Sequence, residues 1–298
     1  MELTRLLAAH PAVEVVGVGS SRWSGSTVRE RLGLSGPVGE LSYAATPARG
    51  AAEAVLLATP PEASAELAPA WLEAGAKVVD LSHAFRADPE WVYGLTEHRR
   101  AALDGASRVA NPGCYPTATQ LALIPLIEAG LLAEGPIVVD AKSGATGAGR
   151  KSADHLLYNE LADNHYPYRV GTHQHVPEIE RGLGREVVFT PHLLPCRRGL
   201  LISAVVPVRP GVGAGDLEAC LRARYAGEPF VQVVAPDPAV GIGAVVGTPL
   251  CRIAVGPTVK AGLARVFASE DNLLKGAASQ AVQNLNRILG LEETTGLL

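Results

Sequence analysis

One cysteine lies where its thiol could act as a nucleophile. Cys114 stands in Asn111-Pro-Gly-Cys-Tyr-Pro-Thr117, directly after a predicted strand. Pro112 and Gly113 favour a sharp turn out of that strand, and Pro116 suits the first turn of a helix, where its missing N–H costs nothing. Cys114 is therefore expected at a helix start, where backbone N–H groups and the positive dipole end lower a thiol pKa. The other cysteines, which lack such a setting and are interpreted as small buried residues, are Cys196, Cys220 and Cys251.

A thiolate nucleophile needs a partner that carries its proton. His173 and His175 lie in His-Gln-His-Val-Pro-Glu, just before a helix predicted to begin at Pro177. Two histidines at this spacing could also bind a metal ion, but no third ligand of matching spacing is evident. General acid–base catalysis beside Cys114 is the favoured interpretation. His192 is an alternative proton carrier, although a structural role for its side chain fits the sequence at least as well.

A glycine-rich stretch is the third segment whose residues could take part in the chemistry. Ser143-Gly-Ala-Thr-Gly-Ala-Gly-Arg-Lys151 follows a predicted strand and combines small residues with two cations. Such a loop can wrap its backbone N–H groups around an anion, with Arg150 and Lys151 nearby. A flexible linker is the alternative interpretation.

The elements before Cys114 alternate between strands and helices. Residues 2–10 and 62–74 predict helices, and the apolar runs 13–19, 54–58 and 77–81 predict strands. Short buried strands separated by helices favour a parallel sheet of the dinucleotide-binding type.

The pattern changes after Cys114. A predicted helix and strand precede a long stretch without periodicity, which is typical of a functional loop. Later strands are grouped together and favour a mixed or antiparallel sheet. These segments are a helix over 117–129, a strand over 136–142, the loop 143–176, strands over 186–190, 200–208, 250–256 and 263–268, and helices near 215–225 and over 271–289.

The sequence thus predicts an α/β protein with two domains. The first, over 1–114, is a Rossmann-type NADP-binding domain to which a helix within 270–298 returns. The second, over 115–269, is an α+β catalytic and oligomerisation domain with a mixed sheet.

Composition excludes several other classes of protein. The 298 residues include 26 basic and 30 acidic side chains with both signs scattered, so a nucleic-acid partner is not expected. Neither a signal peptide nor an apolar run of 18 or more residues is evident, and no membrane partner is expected. Four widely spaced cysteines suit neither a disulfide framework nor a zinc site. A cytoplasmic location is expected.

Six motifs in order along nearly the whole chain resemble those of the N-acetyl-gamma-glutamyl-phosphate reductases, the arginine-pathway branch of the aspartate-semialdehyde dehydrogenase-like family. Three have been quoted above, at 111–117, 143–150 and 173–179. The others are Asp80-Leu-Ser-His-Ala-Phe-Arg86, Phe189-Thr-Pro-His-Leu-Leu-Pro195 with Arg198-Gly199, and Asp271-Asn-Leu-Leu-Lys-Gly-Ala277. His83-Ala84 departs from the usual Ala-Asp of the family.

The resemblance implies an NADPH-dependent reduction of N-acetyl-glutamyl 5-phosphate to the 5-semialdehyde and phosphate, through a thioester on Cys114. One histidine of the pair His173 and His175 would carry the proton. Arg22 could meet a 2′-phosphate and so favour NADP. The implied cofactor contacts are Ser20, Ser21, Arg22, Thr59, Pro60, Asn272 and Lys275, and the implied substrate contacts are Asn111, Ser143, Gly144, Arg150 and Arg198. A homodimer or homotetramer is implied.

One departure concerns the first element. The family opens with a strand and a glycine-rich phosphate loop, followed by a helix that residues 2–7 resemble. We find no counterpart of that strand and loop in this sequence, which would weaken cofactor binding. We therefore expect the functional protein to begin about 10–20 residues upstream, with an apolar strand and closely spaced glycines.

Two alternative functions stay open at this point. One is a reductase of a related acyl phosphate, such as aspartyl or carrier-bound aminoadipyl phosphate. The other is a truncated, non-catalytic homologue that serves assembly. A complete set of catalytic residue types argues against the second.

Overall fold

A computed structural model describes residues 1–48, 50, 52–149 and 153–298, and only the backbone of His155. The chain divides into two compact units, which are described separately below. Unit 1 is Met1–Pro112 with Ala278–Leu298, and unit 2 is Gly113–Ala277. Cys114 and residues 270–277 lie in unit 2, and the predicted domain bounds stay a prediction.

Unit 1 contains a parallel sheet with helices on both faces. Its elements are α1 (Glu2–Ala8), β1 (Val18–Gly19), α2 (Val28–Leu32), α3 (Pro37–Glu40), β2 (Tyr43–Ala44), β3 (Ala54–Leu57), α4 (Pro61–Glu73), β4 (Lys77–Asp80), β5 (Val92–Tyr93), α5 (Thr96–Leu103), β6 (Arg108–Ala110) and the last helix, α10 (Ser279–Ile288). Four strands pair in parallel in the order β3-β4-β6-β5. The predicted parallel sheet is confirmed.

Two apolar clusters cover the two faces of this sheet. Trp71 and Ala68 of α4 pack with Val78 and Ala110 on one face. On the other face α5 and α10 contribute apolar side chains that pack with Val79 and Val109, namely Leu103, Ala281, Leu285 and Ile288. Helices on both faces of a parallel sheet define a doubly wound arrangement.

The strand predicted over 13–19 is wrong in length. Only Val18–Gly19 is a strand, because hydrogen-bonded pairing is limited to Tyr43 and Ala44 of β2. β1 and β2 form a parallel pair apart from the four-stranded sheet.

Unit 2 contains a seven-stranded mixed sheet. Its elements are α6 (Cys114–Glu128), β7 (Ile137–Gly144), α7 (Tyr158–Leu161), β8 (Tyr166–Pro167), α8 (Val176–Leu183), β9 (Val187–Leu194), β10 (Leu200–Pro207), α9 (Ala214–Arg224), β11 (Val231–Val233), β12 (Cys251–Val255) and β13 (Leu263–Glu270). The strand order is β11-β12-β13-β10-β7-β9-β8. Two of its pairs are parallel, β7 with β9 and β11 with β12, and the others are antiparallel. The predicted mixed sheet is confirmed.

Helix α6 is the central helix of unit 2. It packs against β10 and β13 of the sheet and against α8 and α9. Nearly every side chain from Tyr115 to Leu126 is buried, which explains its apolar character all round.

Two predicted helices differ from the structure at their N-terminal ends. The helix predicted over 117–129 begins three residues earlier, at Cys114, because Gly113 already has the extended conformation of an N-cap. The helix predicted over 271–289 begins as a π-helical turn, Leu274–Ala278, and continues as α10. The Asp271 carboxylate accepts hydrogen bonds from the N–H groups of Leu273 and Leu274 and so ends the preceding extended segment.

Candidate active site

Cys114 is the first residue of α6, as predicted. The backbone N–H of the preceding Gly113 donates a 2.9 Å hydrogen bond to Oε1 of Glu178, and the Gly113 carbonyl accepts from the N–H of Thr117. Cys114 itself is half-buried. The turn Asn111–Gly113 and the first turn of α6 thus present the thiol at a helix start, where a nucleophile is expected to be reactive.

Glu178 is a site residue that the sequence reasoning missed. Its side chain is only 6% exposed, and its backbone carbonyl accepts a 3.1 Å hydrogen bond from Nε2 of Gln120. Glu178 therefore contacts the N-cap residue of α6 through its side chain and the helix itself through its main chain. The sequence feature that could have pointed to Glu178 is its position in the first turn of α8, three residues after His175.

The structure brings His173 and His175 together. Their rings lie 4.9 Å apart, and both side chains are buried. The N–H of His175 donates to Nδ1 of His173 at 3.2 Å. Burial, with a smaller contribution from the cation Arg169, lowers the pKa of His173 from 6.5 to about 4. His173 is consequently a neutral acceptor at pH 7.

Two tyrosines link these histidines to the start of α6. The ring of Tyr115 meets the rings of His173 and His175 edge-on at 5.6 Å and 6.0 Å. Tyr168 donates to the Tyr115 hydroxyl at 3.5 Å, and its ring lies 5.5 Å from that of His173. Burial raises the pKa of Tyr115, and it raises the pKa of Tyr168 to about 12. Both hydroxyls are therefore protonated at neutral pH.

The glycine-rich segment Ser143–Gly149 packs on residues 196–199. The N–H of Gly144 donates to Gly199, and the N–H of Ala145 donates to Cys196. Ser143 and Gly144 are buried. A side chain at Gly144 would lie 2.8 Å from the backbone nitrogen of Arg198, so only glycine fits this close approach.

Asn272 joins the same two segments. Its Oδ1 accepts from the N–H of Gly199 at 2.9 Å, and its Nδ2 donates to Oγ1 of Thr146 at 3.0 Å. Asn272 is 3% exposed. It thereby fixes the spacing of two loops within unit 2.

Arg198 is held by a buried carboxylate. Its Nε lies 3.0 Å from Oδ2 of Asp271, which is fully buried and also accepts the N–H of Gly247. About one sixth of the Arg198 side chain is exposed, at 17%. The arginine is thus fixed in orientation, as anion recognition requires.

Lys275 and His192 take other positions in unit 2. Lys275 is 1% exposed, and its Nζ lies 5.5 Å from the ring centre of the buried Phe230. Nδ1 of His192 lies 3.1 Å from Oδ1 of Asp140 on the neighbouring strand β7, and the His192 carbonyl accepts from the Tyr115 hydroxyl at 3.4 Å. These contacts favour structural roles for both side chains.

The predicted cofactor residues of unit 1 follow the carboxyl ends of two parallel strands. Ser20, Ser21 and Arg22 come directly after β1, and the last two are exposed. Thr59 and Pro60 lie between β3 and α4, and Oγ1 of Thr59 is 2.8 Å from Oγ of Ser64 in the first turn of that helix. Nucleotide phosphates commonly bind at this edge of such sheets.

Asn111 is fully buried in unit 1. Its Oδ1 accepts from Nδ2 of Asn284 at 3.0 Å, its N–H donates to Asp80, and its carbonyl accepts from Nε of Arg86 at 2.9 Å. The structure places Asn111 as an anchor of the turn before Cys114. The predicted substrate contact Arg150 lies outside the described residues, as does Lys151.

Two absences bear on the chemistry of the described residues. None of their His, Cys, Asp and Glu side chains form a group of three that could hold a metal ion. No helix in the described part of the chain is long and apolar enough to cross a membrane. What the site does contain is a thiol at a helix start, two buried histidines and a fixed arginine, which suits covalent catalysis on an anionic acyl compound.

Two sequence families match the chain. The family described as semialdehyde dehydrogenase, NAD binding domain matches residues 1–106. The family described as semialdehyde dehydrogenase, dimerisation domain matches residues 114–272.

Curated relatives match over nearly their full length. The chain is 44% identical to the N-acetyl-gamma-glutamyl-phosphate reductase of Halorhodospira halophila, with 100% of this chain and 94% of the relative covered. It is 41% identical to the enzyme of that name from Thiobacillus denitrificans, with 100% and 94% covered. Its identity to that of Thermus thermophilus is 42%, with 99% and 94% covered.

Solved structures share the fold at low sequence identity. Aspartate semialdehyde dehydrogenase II from Vibrio cholerae superposes with a TM-score of 0.77 at 18% identity, covering 97% of this chain and 94% of that one. Aspartate semialdehyde dehydrogenase with NADP from Candida albicans superposes with a TM-score of 0.71 at 14% identity, covering 97% and 94%.

Proposed function

Because the chain belongs to the N-acetyl-gamma-glutamyl-phosphate reductase family, we propose that it reduces N-acetyl-glutamyl 5-phosphate to N-acetyl-glutamate 5-semialdehyde and phosphate with NADPH, as a step of arginine biosynthesis in the cytoplasm. The observation that carries this proposal is the position of Cys114 at the first residue of α6, in the same unit as the buried pair of histidines. A thiol there can form the thioester that the reaction requires.

The first step is acyl transfer to sulfur. The Cys114 thiolate attacks the carbonyl carbon, the bond from that carbon to the phosphate oxygen breaks, and a thioester forms. His175 accepts the thiol proton and passes it to the departing phosphate oxygen. His175 suits this role better than His173, because His173 already accepts the N–H of His175 and its pKa of about 4 disfavours a bound proton.

Reduction and release complete the cycle. NADPH, when bound, supplies the hydride that reduces the thioester carbonyl carbon. The first-turn N–H groups of α6 stabilise the negative charge on the carbonyl oxygen. Cys114 then leaves as a thiolate, which frees the aldehyde and restores the nucleophile.

Arg198 and the glycine-rich segment are the proposed substrate anchors. The Asp271 carboxylate fixes the Arg198 guanidinium, and the packed backbone at Gly144 shapes the loop beside it. We place the anionic groups of the substrate against these residues, with Ser143 and Arg150 as the further contacts that the family resemblance implies.

The residues after β1 and β3 fit a dinucleotide. Ser21 and Arg22 are exposed, and Arg22 offers a guanidinium to a 2′-phosphate, which supports NADP over NAD. Ser20, Thr59 and Pro60 are the further cofactor contacts that the family resemblance implies in unit 1. Asn272 and Lys275, also implied by the family resemblance, act on the cofactor indirectly, since their contacts hold the loops and core of unit 2.

The chain forms a homo-oligomer through its dimerisation domain, and we propose a homodimer or a pair of such dimers. One face of the seven-stranded sheet supports this assignment, because it carries side chains that α6, α8 and α9 leave uncovered. Val138, Val188 and Leu263 on that face are 37%, 55% and 43% exposed.

The test is phosphate-dependent oxidation of the semialdehyde with NADP⁺, the assay direction with a stable substrate. Cys114→Ser is expected to abolish turnover and to stop inactivation by iodoacetamide, whereas Cys220→Ser, in α9, keeps the parental rate. Near-parental turnover by Cys114→Ser would overturn the mechanism. Preference for aspartate semialdehyde in a substrate panel would reassign the substrate.

A further inference from the structure

A buried asparagine of α10 contacts the residue at which the turn before the nucleophile begins. Asn284 is fully buried in unit 1. Its Nδ2 donates a 3.0 Å hydrogen bond to Oδ1 of Asn111, which is also fully buried and directly follows β6. Cys114 comes three residues after Asn111. Through one side-chain amide, α10 is therefore connected to the segment that carries the thiol.

The orientation of the Asn284 amide is fixed by its other two partners. The carbonyl oxygen of Gly94 can only accept a hydrogen bond, and it lies 2.9 Å from Nδ2 of Asn284. The hydroxyl of Thr96 donates to Oδ1 of Asn284, also at 2.9 Å. A Cβ atom added to Gly94 would lie 2.4 Å from Nδ2, so the amide packs directly against this glycine. Asn284 consequently presents an N–H group to Asn111.

The orientation of Asn284 sets that of Asn111. Because Asn284 presents a donor, Asn111 turns its Oδ1 towards it. Nδ2 of Asn111 then points at the carbonyl of Pro112, at 3.3 Å. The Asn111 side chain thus connects α10 to the main chain two residues before the thiol.

Gln280, one helical turn before Asn284, supports the same arrangement. Its Nε2 donates to the Gly94 carbonyl at 2.7 Å and to the hydroxyl oxygen of Thr96 at 3.3 Å. Gln280, Thr96 and Asn284 are all fully buried. A hydrogen-bonded network away from water resists distortion, because each broken bond leaves a buried polar group that water does not compensate.

We propose that Asn284 is a positioning residue for the reductase reaction. Through Asn111 it holds residues 111–113 in place, and with them the Cys114 thiol, so that sulfur can attack the acyl carbon. Asn284 moves no proton and binds no substrate in this role. A small displacement of a reacting group slows a reaction strongly, which is why a distant amide can affect the rate. The proposal takes from the proposed function only that Cys114 is the nucleophile.

The experiment is a double-mutant cycle on kcat, measured by phosphate-dependent oxidation of the semialdehyde. Asn284→Ala should lower kcat about tenfold and leave both KM values within about twofold of the parental ones, because it misplaces the nucleophile and not the ligands. In an Asn111→Ala background the same substitution should lower kcat by less than about twofold, because the connection to the turn is already lost. Equal losses of kcat in the two backgrounds would overturn the proposal.

Asn286→Ala is the matched control. Asn286 is a second fully buried asparagine of α10, and its Nδ2 donates to the carbonyls of Glu293 and Thr295. Both substitutions remove hydrogen bonds of a buried amide and should lower the urea midpoint of unfolding. Only Asn284→Ala should lower kcat. The same loss of kcat in Asn286→Ala would mean that any loosening of α10 slows the enzyme, which contradicts a specific role of Asn284.

Hydrogen exchange gives a readout that needs no turnover. The backbone N–H groups of Asn111 and Gly113 are both hydrogen-bonded in the fold. Asn284→Ala should speed their exchange about tenfold, because the turn opens more often, and Asn286→Ala should leave it at the parental rate. Mass spectrometry of the peptide that contains Cys114 measures this exchange. Parental exchange in Asn284→Ala would contradict the proposal.

Thr96→Val replaces Asn284→Ala if the latter does not fold. It is nearly isosteric and removes only the hydroxyl that orients the Asn284 amide, so kcat should fall about threefold and exchange at residues 111–113 should be faster. Parental values of both quantities would overturn the proposal. Near-parental turnover by Cys114→Ser leaves the exchange result intact and counts against the proposed function alone.

Discussion

The side chains near the start of α6 differ in whether they carry charge at neutral pH. Tyr115 and Tyr168 close the space beside the histidines without adding charge at neutral pH. The Glu178 carboxylate accepts a hydrogen bond from the backbone N–H immediately before the nucleophile. It thereby fixes the turn and places an acidic group next to it. His173 accepts the N–H of His175 through Nδ1 and has a pKa of about 4, so His175 is the proposed proton carrier.

The two histidines should therefore respond differently to substitution. His175→Ala is expected to lower kcat about a hundredfold or more, as the loss of a general acid or base commonly does. His173→Ala removes the acceptor for the His175 N–H and should mainly raise KM. Steady-state kinetics of both variants, with His83→Ala as an exposed control, would decide the assignment. Full kcat in both variants would transfer the proton-carrying role to His192.

At the scale of elements, the π-helical turn Leu274–Ala278 positions the start of α6. Its Gly276 admits no side chain, since a Cβ atom there would lie 2.6 Å from Cβ of Cys114. The turn itself is held by the Asp271 carboxylate. The π-helical turn, the end of β13 and the start of α6 thus meet at Gly276, where only a glycine fits.

Gly276→Ala is consequently expected to displace Cys114 and to lower kcat at least about tenfold, because small misplacements of a reacting group are costly. Gly215→Ala in α9 is the matched control, since nothing lies within 4 Å of its added Cβ atom. That control should keep the parental rate and gain a little helix stability. Equal rates in the two variants would show that the turn yields without disturbing the thiol.

Sequence patterns predicted much of this arrangement, and their failures have physical causes. The strand that contains Val78 and Val79 and the helix start at Cys114 follow from a local apolar run and from turn residues. Strand β1 was predicted too long, since pairing depends on how much partner strand β2 supplies. Glu178 was missed because a single acidic residue in a helix carries no local signal, and its importance arises only when folding buries it against the N–H of Gly113.

At the scale of the whole molecule, one buried histidine should influence global stability. Burial lowers the pKa of His173 from 6.5 to about 4, so the folded protein binds this proton more weakly than the unfolded chain does. The stability associated with neutral His173 is complete above pH 6.5 and is lost as the pH falls towards 4. The full effect corresponds to about 3 kcal/mol in the free energy of unfolding.

His173→Asn should flatten this pH dependence. Its amide oxygen can still accept the N–H of His175, but it takes up no proton. Urea unfolding of the parent and the variant at pH 7 and pH 4 gives the difference directly, and His83→Asn, at an exposed position, should follow the parent. Parallel losses of stability in the parent and His173→Asn would contradict the assigned shift.

Unit 1 is assembled from the two ends of the chain, since Ala278–Leu298 join Met1–Pro112. Ala281, Leu285 and Ile288 supply part of its apolar core. During synthesis the sheet of unit 1 therefore emerges from the ribosome long before the helix that covers one of its faces. At translation rates of about 5–20 residues per second, α10 does not cover that face for roughly ten to thirty seconds. During this time the face is accessible to chaperones and prone to aggregation. Unit 2, which is continuous in sequence, can fold during this interval. Its folding can therefore be complete before that of unit 1, although most of unit 1 precedes it in the chain.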